Sequence, residues 1–258
     1  MESSDKLHIQ TDMFHPGVSV ECVILCFHEN KLKVLLNKFH TLRKWMLPGG
    51  FIHKNESVDN AAKRHLQSRT GIQNVYLKQF HLFGDTDRLN EAESKRILKG
   101  INIPEKEHDW FLRRFMSVGY FAFVKYDNVR LPKESDEDTI YWFDLENLPE
   151  LYGDHNIILH KGLQTIRYHL GKLPIGYKLL PDKFTMPELR IIYETLLGET
   201  LDRRNFQRKV LSVGLIKKLN ESRKVGAHKS PLLYAFDKVK YEDMINEELL
   251  IDFKGADL

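Results

Sequence analysis

The spacing of apolar residues along the chain predicts a sheet-rich first part and a more helical last part. Between Gly17 and Phe39, two aliphatic and β-branched runs flank the polar residues 28–31, a pattern typical of a β-hairpin. A helical period is present over 156–170. Further strands are predicted within the segments NVYLKQFHLF, MSVGYFAFVKY and TIYWFDL.

The segment after the hairpin combines a glycine-rich loop with a helical pattern. The loop LPGG is followed by Val58, Ala62 and Leu66 at helical spacing, and Gly71 is placed to end the helix in a left-handed conformation. We therefore expect a loop, a short strand and a helix here.

Residues 90–113 are polar and helix-prone, and they separate two strand signals that would otherwise be close neighbours, so we interpret them as an insertion. The aromatic and basic end of this insertion, Trp110 to Phe115, is compatible with a lid, a dimer contact or ordinary packing. Of these three, we favour packing.

The last third of the chain differs in its pattern. The proline-containing segment KLPIGYKLLPDKFTMP places a domain boundary near residue 175. Thr185 and Glu188 then form a capping-box pattern for a helix that ends at Gly198, and Asp202 can cap a short basic helix. Two strands around a basic loop complete a winged helix-turn-helix pattern, so we predict domains over 1–175 and 176–258.

Composition supports a folded protein whose charge is unevenly distributed. Apolar residues make up 42% of the 258 positions, which excludes a collagen-like fibre or wholesale disorder. The net charge is only +3, yet residues 180–240 contain 13 Lys and Arg against 7 Asp and Glu. A basic tail on an acidic body is compatible with nucleic-acid binding.

The sequence also gives an expectation for the cellular location of the protein. No apolar run reaches the roughly 18 residues that span a bilayer, and the first residues lack the basic and apolar regions of a signal peptide. Cys22 and Cys26, four residues apart in a predicted strand, are roughly 13 Å apart and cannot form a disulfide. We expect a cytoplasmic protein with no membrane partner and with both cysteines buried.

The loop and helix after the hairpin carry a specific motif. Gly50 is followed after five residues by Glu56, and after seven more by Arg64, with Leu66 and Gly71-Ile72 at the later framework positions. In this spacing the chain resembles the Nudix family. The resemblance implies an α+β protein, a Nudix-like α/β/α sandwich with a mixed sheet, followed here by the winged helix-turn-helix domain.

The acidic positions of the motif are replaced. In the Nudix family these helix glutamates bind divalent metal, usually magnesium, but here the positions hold His65, Ser68 and Arg69. Magnesium prefers carboxylate oxygens, and an arginine at a ligand position repels it. We therefore expect no metal site, no cofactor and no hydrolase activity, with Glu56 and Arg64 forming an ion pair that ties loop to helix.

The basic helix of the tail is the predicted DNA-reading element. Arginine pairs with guanine and glutamine with adenine, whereas residues at the flanks of a recognition helix contact phosphates. A solvated basic face on a small helical domain is the alternative. The predicted base-reading residues are Arg203, Arg204, Gln207 and Arg208, the predicted phosphate contacts are Asn205 and Lys209, and the wing contributes Arg223, Lys224, His228 and Lys229.

The whole chain is similar to Nudix-related transcriptional regulators, in which a Nudix-like domain that has usually lost hydrolysis is fused to a winged helix. The segments LPGGF, ESVDNAAKRHL, GYKLLPDKFTMPEL and RRNFQRKV look most like the sugar-responsive arabinose-type regulators of Bacteroidetes. That resemblance implies a pentose effector, whereas the family's regulator of nicotinamide cofactor synthesis responds to ADP-ribose. The expected partners are a double-stranded DNA operator, a small-molecule effector and a second copy of the chain in a homodimer.

Candidate effector contacts are polar or aromatic residues near the replaced active site. An Asp or Arg on a loop can equally be a helix cap or an ion-pair partner, and Asp154 could cap the helix that follows it. Two further functions stay open: an active diphosphohydrolase with unusual metal ligands, and a tail that binds RNA or protein. The candidates are Trp45, Glu56, Asp85, Asp87, Arg88, Arg114, Asp154 and His155.

Overall fold

A computed structural model describes residues 10–39, 43–73, 75–88, 90–100, 103–131, 138–170, 175–224 and 230–246. The strands are β1 (Phe14–His28), β2 (Lys31–Phe39), β3 (Gly49–His53), β4 (Tyr76–Phe83), β5 (Met116–Phe123), β6 (Asp138–Asp144), β7 (Phe184–Thr185), β8 (Ile216–Ser222) and β9 (Leu232–Phe236). The helices are α1 (Val58–Thr70), α2 (Glu91–Gly100), α3 (Glu105–Phe111), α4 (His155–Tyr168), α5 (Ile175–Leu179), α6 (Met186–Leu197), α7 (Arg203–Ser212) and α8 (Lys238–Asn246).

The first six strands form one sheet in the order β4-β5-β1-β2-β6, with β3 paired antiparallel to β1. The β1–β2 hairpin turns at Glu29 and Asn30, whose φ values of 52° and 59° are those that a tight two-residue hairpin turn needs. Strand β1 is buried from Cys22 to Phe27, and both cysteines are free and buried, as predicted. The predicted hairpin and the three later strands are confirmed.

Helix α1 follows the glycine-rich loop as its sequence predicts. The Ser57 side chain accepts a hydrogen bond from the backbone N–H of Asn60, and Gly71 ends the helix with a φ of 71°. Ala62 and Leu66 are buried on its inner face. Helix α4 (His155–Tyr168) confirms the predicted helical period over 156–170.

Helices α2 (Glu91–Gly100) and α3 (Glu105–Phe111) lie within the predicted insertion. Leu98 of α2 and Ile103 after it are buried, so the segment contributes to the core instead of standing away from it. A helix-prone polar sequence with a few apolar residues at helical spacing can bury only one narrow face. The prediction that this segment is helical is confirmed.

The C-terminal part is a winged helix. Thr185 and Glu188 form the predicted reciprocal capping box at the start of α6, and Gly198 ends that helix with a φ of 75°. Asp202 caps α7, whose Phe206 and Val210 are buried. Strands β8 and β9 pair antiparallel, and β7 extends them to a three-stranded sheet in the order β7-β9-β8.

The chain forms two compact units. The first comprises residues 1–25, 34–122 and 128–162, and the second comprises 26–33, 123–127 and 163–258. The second unit therefore includes the tip of the β1–β2 hairpin, whereas a single boundary near residue 175 would assign the hairpin to the first domain. The boundary near residue 175 stays a prediction. None of the helices within the described ranges combines the length and the hydropathy of a membrane span.

Candidate effector site and candidate nucleic-acid interface

The loop and the helix of the Nudix-like motif are joined by the predicted ion pair. The Glu56 carboxylate accepts hydrogen bonds from Arg64, whose Nε lies 3.1 Å from Oε2, and from the backbone N–H of His53 at 2.8 Å. Arg64 also donates through Nη2 to the Phe51 carbonyl at 2.9 Å. Hydrogen bonding to Arg64 lowers the pKa of Glu56. The hydrogen bonds of the Glu56 carboxylate thus join the loop to helix α1.

The three positions that are acidic in Nudix hydrolases have other partners here. His65 donates through Nε2 to the Phe51 carbonyl at 3.0 Å, and burial lowers its pKa to about 4, so the ring is neutral at pH 7. The Ser68 hydroxyl donates to the His65 carbonyl at 2.8 Å. In the described ranges, no three His, Cys, Asp or Glu side chains converge to hold a metal. With Arg69 in the remaining position, these residues do not fit a magnesium ion.

Close packing against glycine fixes the His65 ring beneath the loop. A Cβ atom added to Gly50 would lie 2.5 Å from His65 Cε1, so a side chain at position 50 would displace the ring. The glycine of the motif therefore has a packing role in this chain as well as a role in the turn.

A second charged cluster lies around Arg88. Its guanidinium donates to both carboxylate oxygens of Asp154, from Nε at 2.6 Å and Nη2 at 3.1 Å. It also donates to the carbonyls of Phe83 and Phe115, at 2.9 and 2.7 Å, and to the Ser117 hydroxyl at 3.0 Å. All five N–H groups of the guanidinium are therefore used within the protein. Asp154, which could have capped α4, binds this arginine with its side chain instead.

Glu21 is a member of this cluster that sequence reasoning missed. It stands on β1 opposite Gly49, and a Cβ atom on that glycine would lie 2.3 Å from Glu21 Oε2. Burial raises the pKa of Glu21 well above its usual value, and Asp154 adds to that effect while Arg88 opposes it. The sequence signal was an acidic residue inside the apolar run VECVILC.

Trp45 and His155, two further predicted effector contacts, each bind or pack against neighbouring elements of the Nudix domain. Trp45 forms a parallel bridge with Leu151, and its ring meets Phe143 edge-on at 4.7 Å between centroids. The His155 Nδ1 accepts a hydrogen bond from the Leu47 backbone N–H at 2.9 Å, and burial lowers the pKa of this histidine to about 4. Both predicted effector residues therefore also support the fold.

The aromatic end of the insertion packs on the motif loop. The Trp110 ring lies 4.8 Å from Phe51, 6.3 Å from Phe14 and 5.2 Å from Phe115, measured between ring centroids. Packing is thus the role that the structure gives to this end of the insertion. It places aromatic side chains against the residue that follows Gly50.

The remaining predicted effector contacts are on the surface. Asp85, Asp87 and Arg114 are exposed, and no described side chain binds theirs. The structure therefore brings Arg88, Asp154 and His155 together, and it places Glu56 in a separate ion pair with Arg64. The effector role of all eight predicted residues stays a prediction.

The arginines of α7 differ in their surroundings. Arg203 and Arg204 are exposed, and no described residue pairs with them. Arg208 donates through Nη2 to the Asn205 side-chain oxygen at 3.0 Å. Gln207 is half-buried where an exposed position was expected, and its Nε2 donates to the Tyr234 hydroxyl on β9 at 3.3 Å.

The predicted DNA-contacting residues of the wing also differ in their surroundings. Arg223 donates to Glu188 Oε1 and to the Lys183 carbonyl, both at 2.7 Å, so it joins β8's end to the capping box of α6. Lys224 is exposed, and Lys209 of α7 is half-buried. His228 and Lys229 lie outside the described residues.

Comparison with known families divides the chain into two matching segments. Residues 15–161 match the NUDIX domain, and residues 176–236 match the NrtR DNA-binding winged helix domain. The first segment is more than half of the chain.

Two relatives of known name cover different shares of the chain. The ADPR responsive transcriptional repressor NtrR of Acinetobacter baylyi is 25% identical over 240 residues, which are 90% of this chain and 87% of that protein. The RNA pyrophosphohydrolase of Pelagibacter ubique is 27% identical over 146 residues, 55% of this chain and 85% of that protein.

Among solved structures, Shewanella oneidensis NrtR, crystallised with a 27mer DNA, is similar over 87% of this chain and 95% of its own, with a TM-score of 0.65 and 24% identity. This likeness confirms the predicted fold class, a Nudix-like α/β domain followed by a winged helix.

Proposed function

The chain belongs to the NUDIX domain family, and because its residues 176–236 match the NrtR DNA-binding winged helix domain, we propose that it is a ligand-responsive transcriptional repressor. Its winged helix binds a double-stranded DNA operator, and its Nudix domain binds the effector that controls this binding. The exposed, unpaired arginines at the start of α7 carry the proposal, because a recognition helix must present side chains that are not already committed within the protein. The repressor from Acinetobacter baylyi, aligned over nine-tenths of the chain, supports it.

ADP-ribose or a related ribose nucleotide is the effector that we propose. The name of the Acinetobacter baylyi relative supports ADP-ribose, and none of the relatives described above points to the pentose expected from the sequence. The insertion packs Trp110 directly on Phe51, so an aromatic ring covers this part of the motif loop. A pentose therefore stays in the panel of ligands to be tested.

The Nudix domain acts in this proposal without hydrolysing its ligand. Glu56 is committed to Arg64, His65 is neutral and hydrogen-bonded, and Arg69 contributes a positive charge where a hydrolase has a carboxylate. The pyrophosphohydrolase relative keeps a second function under consideration, an active diphosphohydrolase with unusual metal ligands. The replaced acidic positions make that function the weaker candidate.

We propose that the protein acts as a cytoplasmic homodimer on a pseudo-palindromic operator. One winged helix covers limited DNA surface, and two-fold symmetry of the protein matches two half-sites. The effector changes DNA affinity only through its different affinities for the DNA-competent and incompetent states.

Selection from random duplex DNA with the full-length protein tests the proposal. We expect enrichment of a two-fold symmetric site and a change in its affinity when ADP-ribose is added, with pentoses and pentose phosphates as parallel samples. Arg96→Ala, which changes an exposed arginine of α2, is the control for Arg204→Ala. Failure to enrich any duplex, or equal loss of binding in both variants, would contradict the DNA-binding role and favour an RNA- or protein-binding tail.

A hydrolysis assay separates the two functions of the Nudix domain. With magnesium or manganese, we expect ADP-ribose to stay intact in the presence of the protein. Turnover that is abolished in Glu56→Gln would instead establish the hydrolase.

A further inference from the structure

We infer that the recognition helix reads guanines through the pair Arg204 and Arg208, that Asn205 positions Arg208, and that Gln207 braces the helix without reading a base. The inference rests on the proposed DNA binding and deepens it, since it names the base type that the winged helix recognises. It differs from the assignment made on residue types alone, in which Gln207 reads adenine and Asn205 contacts phosphate.

Burial fixes the rotation of α7 about its axis. Phe206 and Val210 are 3% and 5% exposed, so the helix has one inward face. Arg204 and Arg208 stand four residues apart on the exposed side, where successive turns place two side chains one above the other. Their Cβ atoms are about 5–6 Å apart at this spacing, and neighbouring base pairs are about 3.4 Å apart. The pair therefore reaches adjacent or next-adjacent base pairs.

Asn205 limits the freedom of Arg208. Its side-chain oxygen accepts from Arg208 Nη2 at 3.0 Å, which leaves the other edge of the guanidinium free for a bidentate contact with guanine O6 and N7. Asn205 is thus a positioning residue. Its backbone N–H donates to the capping Asp202 at 2.8 Å, so its own position at the helix start is fixed as well.

Gln207 is directed towards the wing. The amide donates to the hydroxyl of Tyr234, a residue that is 4% exposed on β9. A bidentate adenine contact needs both the carbonyl and the amino group of glutamine at the base edge. Tyr234 holds this amide on the protein side, so Gln207 joins α7 to the sheet of the winged helix.

The test is a selection from random duplex DNA with wild type and six variants: Arg208→Ala, Asn205→Ala, Asn205→Asp, Gln207→Ala, Tyr234→Phe and Tyr241→Phe. Thermal unfolding of each variant identifies any change in folding. Tyr241→Phe is the matched control for Tyr234→Phe, because Tyr241 is also buried but packs on Tyr177 and Phe236.

The wild-type half-site is expected to contain two guanines within three consecutive base pairs. Arg208→Ala should reduce discrimination at one of them roughly 10- to 100-fold. Asn205→Ala should weaken discrimination at that same position, and Asn205→Asp, which keeps the acceptor, should restore it. Gln207→Ala and Tyr234→Phe should leave every base preference unchanged.

Other outcomes overturn the inference. An adenine preference that disappears in Gln207→Ala would show that Gln207 reads a base. Unchanged discrimination in Asn205→Ala would remove its positioning role, and a selected site without guanines would remove the arginine pair. If wild type enriches no duplex at all, the proposed function itself fails, which distinguishes the two failures.

Discussion

The two charged clusters of the Nudix domain, around Arg64 and Arg88, and the start of α7 in the winged helix use their arginines in opposite ways. Arg64 and Arg88 are surrounded by acceptors from their own domain, and every N–H of Arg88 is hydrogen-bonded. Arg203 and Arg204 at the start of α7 are exposed, and the described part of the chain offers them no acceptor. Arginine type alone therefore does not distinguish a structural residue from one that is available to a partner.

The difference has a consequence for function. A guanidinium whose donors are all used must break hydrogen bonds before it binds a ligand, and each such bond to a charged group is worth about 1.5–3 kcal/mol. A guanidinium at an exposed helix end has to give up only its hydrogen bonds to water when it binds a ligand. Anionic partners are thus expected at α7, whereas the Arg88 cluster is expected to stabilise the Nudix domain.

The largest loss of unfolding free energy is expected from Arg88→Met. The substitution leaves the Asp154 carboxylate, half-buried, without its partner, and loss of one member of a buried ion pair costs about 3–5 kcal/mol. Urea unfolding measures the loss. The double variant Arg88→Met with Asp154→Leu should recover part of it, because no unpaired charge is left behind.

Arg96→Met serves as the control for Arg88→Met, since Arg96 is exposed on α2. Equal unfolding free energies for Arg88→Met and this control would mean that the Arg88 cluster does not stabilise the domain, and Arg88 would return as a candidate effector contact.

The second largest effect concerns acid stability. His155 has its pKa lowered by burial to about 4, so the folded protein keeps it neutral while the unfolded chain takes up a proton below about 6.5. The stability that this histidine contributes is complete above pH 6.5 and declines by about 1.4 kcal/mol per pH unit as the pH falls towards 4. The loss from pH 7 to pH 5 is expected to be about 2 kcal/mol.

His155→Gln separates this effect from other titrations. Glutamine keeps an acceptor for the Leu47 N–H and does not titrate, so the unfolding free energy of the variant should change less between pH 7 and pH 5. His160→Gln, an exposed histidine of α4, should retain the wild-type dependence. Identical pH profiles for the two variants would show that His155 is not the titrating group.

Much of the fold could be predicted from sequence because its signals are local. The capping box at Thr185, the glycine stops at Gly71 and Gly198, and the period of β1 each depend on residues within a few positions of one another. The Glu56–Arg64 pair was predictable for the same reason, since a loop and the helix that follows it fix their separation.

The candidate sites were less predictable because they depend on contacts distant in sequence. Arg88 and Asp154 are 66 residues apart, and Gln207 and Tyr234 are 27 apart. Hydrophobic periodicity shows which face of an element is buried, but it does not show which polar groups meet there. This explains why Glu21 was missed and why Gln207 was predicted to read a base although it is half-buried.

A smaller effect is expected in the winged helix from Arg223→Ala. This arginine donates to Glu188 and to the Lys183 carbonyl, but its side chain is 40% exposed, so its removal should destabilise the domain by only about 1 kcal/mol. Base preferences measured by selection should not change. Lys224→Ala should instead leave the stability of the protein unchanged and lower its affinity for all DNA duplexes equally, as expected for an exposed residue that contacts phosphate.

The opposite pattern, with Arg223→Ala weakening DNA binding while stability is kept, would place Arg223 among the residues available to a partner. The division between committed and available arginines would then fail in the winged helix.

The smallest effect is expected from Glu56→Gln, which tests the comparison at the motif itself. Glutamine keeps one oxygen, which can accept from the His53 N–H and from Arg64 Nη2, but its amino group cannot accept from Arg64 Nε, so the unfolding free energy at pH 7 should fall by up to about 1 kcal/mol at this partly exposed pair. The lowered pKa of Glu56 means that its carboxylate stabilises the fold above pH 4.5 and that this contribution is lost as the pH falls below it. The variant should therefore lose less stability than wild type on acidification to pH 3. If Glu56 instead takes part in catalysis, Glu56→Gln should leave acid stability unchanged and abolish a measurable hydrolysis of ADP-ribose. The Glu56–Arg64 ion pair would then no longer contrast with the exposed arginines at the start of α7.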